Sequence, residues 1–137
     1  MTASSTALRI STATEAHQRL WIELSEGLAA QRGGLAVLDT WASIGVTSAA
    51  TAISAGWWFS REGHQDCCVA LVRARCLNAM LVTHALRRAG HGRALLTSLI
   101  TSVDGPRDGW ALPGDRETKS LYESVGWKAR LLTMSGE

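Results

Sequence analysis

The segment from Leu81 to Arg93 holds the residues best suited to chemistry. Leu81 and Val82 close an apolar run with a β-branched end, and Arg87, Arg88 and Ala89 lead into Gly90, His91, Gly92 and Arg93. Glycines let backbone N–H groups converge on a ligand, and a helix starting there adds about half a positive charge. The pattern therefore suits a phosphate or pyrophosphate. No acidic residue lies between Asp66 and Asp104, whereas Arg73, Arg75, Arg87, Arg88 and Arg93 all do, with His84 and His91. A polyanion would meet local positive charge, although Arg73 and Arg75 are read as solvated strand or loop positions and left out of the site.

The elements that must carry this segment follow from periodicity. Ala7 to Ile10 reads as a first strand, Ser11 to Thr14 as caps, and Leu20, Leu24 and Leu28 as the inner face of a helix that Gly33 and Gly34 end. A second helix is expected from Asp39, burying Ile44, Val46, Ala50, Ile53 and Trp57, although Ala42, Ile44 and Val46 also alternate like a strand. Trp57 to Phe59 and Cys67 to Val72 read as strands, with Arg61 to His64 the turn between them, and Leu77 to Thr83 as the next. The helix from Gly90 to about Ser102 points Leu95, Leu96, Leu99 and Ile100 inward. After a turn cluster at Asp104 to Gly109, a short strand is expected at Trp110 to Leu112. A helix capped by Asp115 carries Leu121, Tyr122 and Val125, ends at Gly126, and gives way to extended chain from Trp127 to Thr133. The order β-α-α-β-β-β-α-β-α-β is that of a mixed α/β layer fold.

A chain of 137 residues should form one domain. Its 46% hydrophobic and 19% charged content excludes a disordered tail. A pI near 8.6 falls short of a dedicated nucleic-acid binder, so the arginines are read as a local site. Cys67, Cys68 and Cys76 are too few and too close for a disulfide framework. The start is polar with no basic-then-apolar leader, which leads us to expect a reducing cytoplasm. The uncharged stretch Thr40 to Ser60 carries seven Ser or Thr, so a packed element is expected rather than a membrane span.

Val82-x-x-x-x-Arg87-x-x-Gly90-x-Gly92 resembles the acetyl-CoA signature of the Gcn5-related N-acetyltransferases, and Leu121-Tyr122-x-x-x-Gly126-Trp127 is similar to that family's late helix-to-strand segment. The resemblance covers residues 67–127, the cofactor half of a single domain spanning 1–137. Residues 1–55, the acceptor half, match only in element order. The resemblance implies a mixed, mainly antiparallel sheet flanked by helices, with acetyl-CoA as co-substrate, no metal, and direct acetyl transfer to a small-molecule or peptide amine. It further implies that the strand ending at Val82 splays to pair with pantetheine, that the turn from Arg88 to Arg93 wraps the pyrophosphate, and that Tyr122 faces the thioester sulfur as proton donor. Backbone N–H near Leu81 and Val82 would serve the oxyanion.

Three departures matter. Asp115 stands where the family commonly has an asparagine touching pantetheine. The strand Leu77 to Val82 lacks the usual glutamate base, leaving His84, Glu62 or a water chain, with His84 best placed. The residues after Gly126 supply at most one strand, so the acceptor side is open or is completed by a second subunit in a homodimer.

Other readings stand beside these. One of Trp57 and Trp58 would line the acceptor pocket while alternation turns the other into the core. Tyr122 could simply pack its ring on the core. His64 near Cys67 and Cys68 has a superficial zinc spacing, but adjacent cysteines point to opposite strand faces. Beside the enzyme stand a non-catalytic acyl-CoA-binding sensor or assembly domain of the same fold, and an arginine turn that contacts nucleic-acid phosphate.

Overall fold

A computed structural model describes residues 7–62, 65–82, 90–130, 132 and 134. Strand β1 is Leu8–Arg9, followed by helices α1 (Glu15–Ala29), α2 (Gly34–Ser43) and α3 (Ala49–Ala55), then strands β2 (Trp57–Glu62), β3 (Gln65–Arg73) and β4 (Cys76–Val82). Helix α4 (His91–Ile100), strand β5 (Asp108–Gly109) and helix α5 (Arg116–Ser124) complete the order. The sheet runs β1-β2-β3-β4-β5, antiparallel through β4 and parallel between β4 and β5. It is thus mixed and mainly antiparallel, with helices on both faces.

Period-two alternation decides which side chains each layer receives. Trp57, Phe59, Val69, Leu71, Ala79 and Leu81 pack with the inner faces of α1, α2 and α3. Trp58, Cys68, Ala70, Val72 and Leu77 pack with Leu95, Leu96 and Leu99 of α4 and Tyr122 of α5. Two register shifts reset the alternation. Leu71 pairs with Ala79 but Val72 pairs with Leu77, so Asn78 is an extra residue in β4. Ser60 pairs with Cys68 but Arg61 pairs with Asp66, so Cys67 is an extra residue in β3.

Several expected elements take a different form. The single helix from Asp39 to Trp57 is two helices, because Gly45 turns the chain at φ +83° and Ser48 then caps α3 by accepting from Thr51 N–H. Helix α1 ends at Ala29, before the glycines, and Gly33 at φ +82° instead begins α2. Of the turn expected at Arg61 to His64, Arg61 and Glu62 belong to β2, and the other two residues lie outside the described residues. The strand expected at Trp110 to Leu112 lies at Asp108–Gly109, where the parallel pairing to β4 is made. Residues 127–130 form no strand. No helix among the described residues is long and apolar enough to cross a membrane. The Thr40 to Ser60 stretch divides among α2, α3 and β2.

The two-residue turn from β3 to β4 places Ala74 at φ 51° and Arg75 at φ 60°. Both values fit a hairpin twist that normally recruits Asn-Gly, and each costs a non-glycine residue about 1 kcal/mol or more. The α4–β5 loop holds the turn: Arg75 Nε donates to Gly105 O at 3.1 Å and Arg107 N–H donates to Arg75 O at 2.8 Å. Ala74→Asn should therefore stabilise the protein by about 0.5–1 kcal/mol, read as a higher urea midpoint with unchanged slope.

Candidate functional site

The junction of β4 with β5 is the place where the sheet changes direction. Parallel pairing covers Cys76 with Asp108 and Leu77 with Gly109, and Trp110 N–H then donates to Leu77 O at 2.9 Å. Strand β5 ends there, while β4 runs on to Val82. Ligands of open α/β sheets favour such carboxyl-end openings between neighbouring strands.

Helix α4 starts at the same end of the sheet as Val82. Its cap, Gly90, is exposed at φ +83° and supplies no side-chain hydrogen bond to the first turn. First-turn N–H groups of a helix lack intrahelical partners, so this start keeps the chemistry of an anion site. Arg93 is exposed on the first turn, whereas His91 is buried. Gly92 has a packing role that the sequence reading missed. A Cβ there would lie 3.3 Å from Val82 Cγ2 and 3.8 Å from Leu121, so its absence lets α4 settle against β4 and α5. His84, Arg87, Arg88 and Ala89 lie outside the described residues, as does His64.

Tyr122 projects from α5 to the β4–β5 junction. Its hydroxyl donates to Trp110 O at 2.7 Å, and its ring lies 5.2 Å from that of Trp127. Burial pushes its pKa well above the ordinary phenol value, and Cys76, Asp115 and Asp108 add to the effect. The hydroxyl therefore keeps its proton, as a donor must, but that proton is engaged by a main-chain carbonyl. Gly109 makes the approach possible: a Cβ there would stand 2.7 Å from the Tyr122 oxygen. Burial likewise raises the Cys76 thiol, to about 11, with a hydrogen bond to Asp108 next in importance. A thiol so held is unreactive at neutral pH.

Asp115 and the tryptophan pair have structural roles. Asp115 caps α5: its two carboxylate oxygens accept from Thr118 N–H at 3.0 Å and Thr118 Oγ1 at 2.7 Å, which accounts for the acid by local helix structure. Trp57 is fully buried, 4.9 Å from Phe59 and 5.6 Å from Trp21 by ring centroids, so it is core and not pocket wall. Trp58 is buried on the other face, with the Arg9 guanidinium 5.0 Å from its ring centroid. Alternation separated the pair, but helices cover both faces.

Sequence reasoning did not find a second polar cluster. His17 of α1 contacts Asp66 of β3 through Nε2, and Arg61 Nε donates to the other Asp66 oxygen at 2.9 Å. Thr14-x-x-His17 was a possible signal, because the fourth position of a capping box holds a side chain that reaches back. Nothing in the sequence pairs residue 17 with residue 66. Asn78 forms a further buried contact, accepting from Trp41 Nε1 at 3.0 Å. Among the described residues no three His, Cys, Asp or Glu are grouped to hold a metal ion.

Neither a protein-family model nor a curated protein sequence matches this chain.

The junction yields two expected outcomes. Gly109→Ala should cost about 1–3 kcal/mol by forcing Tyr122 off its seat, measurable by chemical denaturation. Cys76 and Tyr122 both have raised folded-state pKa values, so their stabilisation is complete below the ordinary values and is lost as pH climbs through the raised ones. For Cys76 that window runs from 9.0 to about 11. The melting temperature should fall across it, and Cys76→Ala should flatten the early part of the fall while Tyr122→Phe flattens the later part.

Proposed function

We propose that this protein is an acetyl-CoA-dependent N-acyltransferase of the Gcn5-related kind, transferring acetyl directly to the amine of a small molecule or peptide. The observation that carries the reading is the parallel β4–β5 pair joined for only two residues, with α4 starting at Gly90, which has no side chain to cap it, at the same sheet end as Val82. The residue pattern Arg87-x-x-Gly90-x-Gly92 supports it, since the same glycines open that helix. On this reading the α4 N–H groups and Arg93 hold the pyrophosphate, with Arg87 and Arg88 contributing charge, and backbone groups of Leu81 and Val82 meet the pantetheine and acyl carbonyl. The cofactor supplies an activated acyl group. The chain supplies orientation, a donor in Tyr122, and a face of α1, α2 and α3 toward which the amine approaches.

A specific observation favours the second reading, a non-catalytic acyl-CoA-binding domain of the same fold. The Tyr122 hydroxyl is committed to Trp110 O, and β4 carries no acidic side chain. Proton donation then requires that bond to exchange partners when ligand binds.

Acetyl-CoA or CoA should raise the melting temperature, as any ligand selective for the folded state does. Arg93→Ala should weaken binding by about 1–3 kcal/mol. Assay of a panel of amines then separates the two readings. In the enzyme, Tyr122→Phe should lower turnover about 100- to 10,000-fold with cofactor affinity nearly kept. Calorimetry showing no CoA binding to the wild type would refute both.

A further inference from the structure

Helix α1 begins with a nucleophile, a base and an acid in sequence of contact. The Thr14 hydroxyl lies 3.2 Å from His17 Nδ1, His17 Nε2 contacts Asp66 Oδ2, and Arg61 fixes Asp66 through its other oxygen. Thr14 is exposed, whereas His17 is buried and Asp66 is mostly covered, so the group opens to solvent at its hydroxyl. The His17 ring rests 4.4 Å from Phe59, which prevents it from swinging inward. Thr14 N–H also donates to Nδ1, at 3.0 Å. That bond makes Nδ1 the unprotonated nitrogen, so Nε2 carries the hydrogen directed at Asp66. A hydroxyl, an acceptor imidazole nitrogen and a carboxylate on the far nitrogen are the relations of a nucleophilic triad. The first hydrogen bond within the helix is made by Gln18 N–H to Thr14 O. The N–H groups of Glu15 and Ala16 therefore precede the helical ladder, and His17 N–H donates to Thr14 Oγ1 at 3.4 Å.

The Cys67 bulge is what builds the group. Without it Asp66 would point to the α4 face, away from His17. Cross-strand pairing sets Phe59 against Val69 and Val69 against Leu81, so His17, resting on Phe59 of β2 and Asp66 of β3, lies over the strands beside β4 and not over β4 itself. The group is separate from the β4–β5 junction.

We propose that Thr14, His17 and Asp66 form an acyl-transfer site that cleaves small activated carboxylic esters, independently of the CoA-dependent activity proposed above. Thr14 Oγ1 bonds to the acyl carbon as its proton passes to His17 Nδ1, the Thr14 N–H contact opening to admit it. The ester C–O bond breaks and the alcohol leaves with that proton. Water then attacks the acyl-threonine, giving its proton to Nδ1, and the carboxylic acid departs as Thr14 Oγ1 is reprotonated. Asp66 holds the imidazole through Nε2 and stabilises its transient charge.

The test uses the full chain, p-nitrophenyl acetate and no CoA. Wild type should release nitrophenolate above the buffer rate, and mass spectrometry of acid-quenched protein should find acetyl on Thr14. Thr14→Asn keeps a good helix cap without a nucleophile, and His17→Gln keeps a capping-box side chain without an imidazole. Each should lower the rate about 100-fold or more with its circular dichroism unchanged. Thr14→Ser should retain activity. Wild-type hydrolysis no faster than buffer, acetylation confined to other residues, or full activity in folded Thr14→Asn or His17→Gln would each overturn the proposal.

Discussion

The extra residue in β4 is the constraint on which the two layers depend. With strict alternation from Ala79 and Leu81, Leu77 would face the three-helix side and Asn78 the α4 side. The bulge reverses both. Leu77 joins the α4 and α5 core, and Asn78 faces Trp41, whose indole N–H it accepts at 3.0 Å inside a buried layer. A buried indole donor left unpaired would cost about 1–3 kcal/mol, so the bulge and α2 stabilise each other. The Asn78 side chain also donates to Cys76 O at 3.2 Å, which pins the distorted stretch to its own strand.

That distortion sits beside the two-residue pairing with β5. The short ladder at Cys76 and Leu77 keeps β5 in the sheet, and the chain beyond Gly109 turns so that Trp110 O meets Tyr122. One small residue, Gly109, permits the contact, and the glycine at position 92 permits the corresponding approach of α4 to Val82. The junction is therefore set by close backbone packing more than by charge. The start of α4 is an exception, since the first N–H groups of a helix have no partners within it and are well matched by an anion.

The polar cluster under α1 obeys a different balance. Asp66 is largely covered and has both a histidine and an arginine on it, so its removal from water is offset by two directed contacts. Such clusters contribute less stability than their geometry suggests, because desolvation consumes much of the attraction. What this one supplies is position. It fixes where α1 begins over β2 and β3, and it presents the Thr14 hydroxyl to solvent.

Much of the scaffold was legible in the sequence because it follows from local rules. The alternation of Trp57 to Phe59, the helical spacing of Leu20, Leu24 and Leu28, the cap at Asp115 and the stop at Gly126 each depend on neighbours within a few residues. The glycine pair at 90 and 92 was found the same way, and both glycines open α4, although the second serves helix packing. What the sequence could not determine depends on partners far along the chain. A bulge is invisible until the opposing strand sets the register, so the faces of Asn78 and Asp66, and with them the Trp41 and His17 contacts, were decided only by the tertiary structure. The burial of both tryptophans, the seat of Tyr122 on Trp110 O and the shift of β5 to Asp108–Gly109 have the same origin. Local propensity and periodicity are properties of a segment, whereas register and burial are properties of a pair of segments brought together.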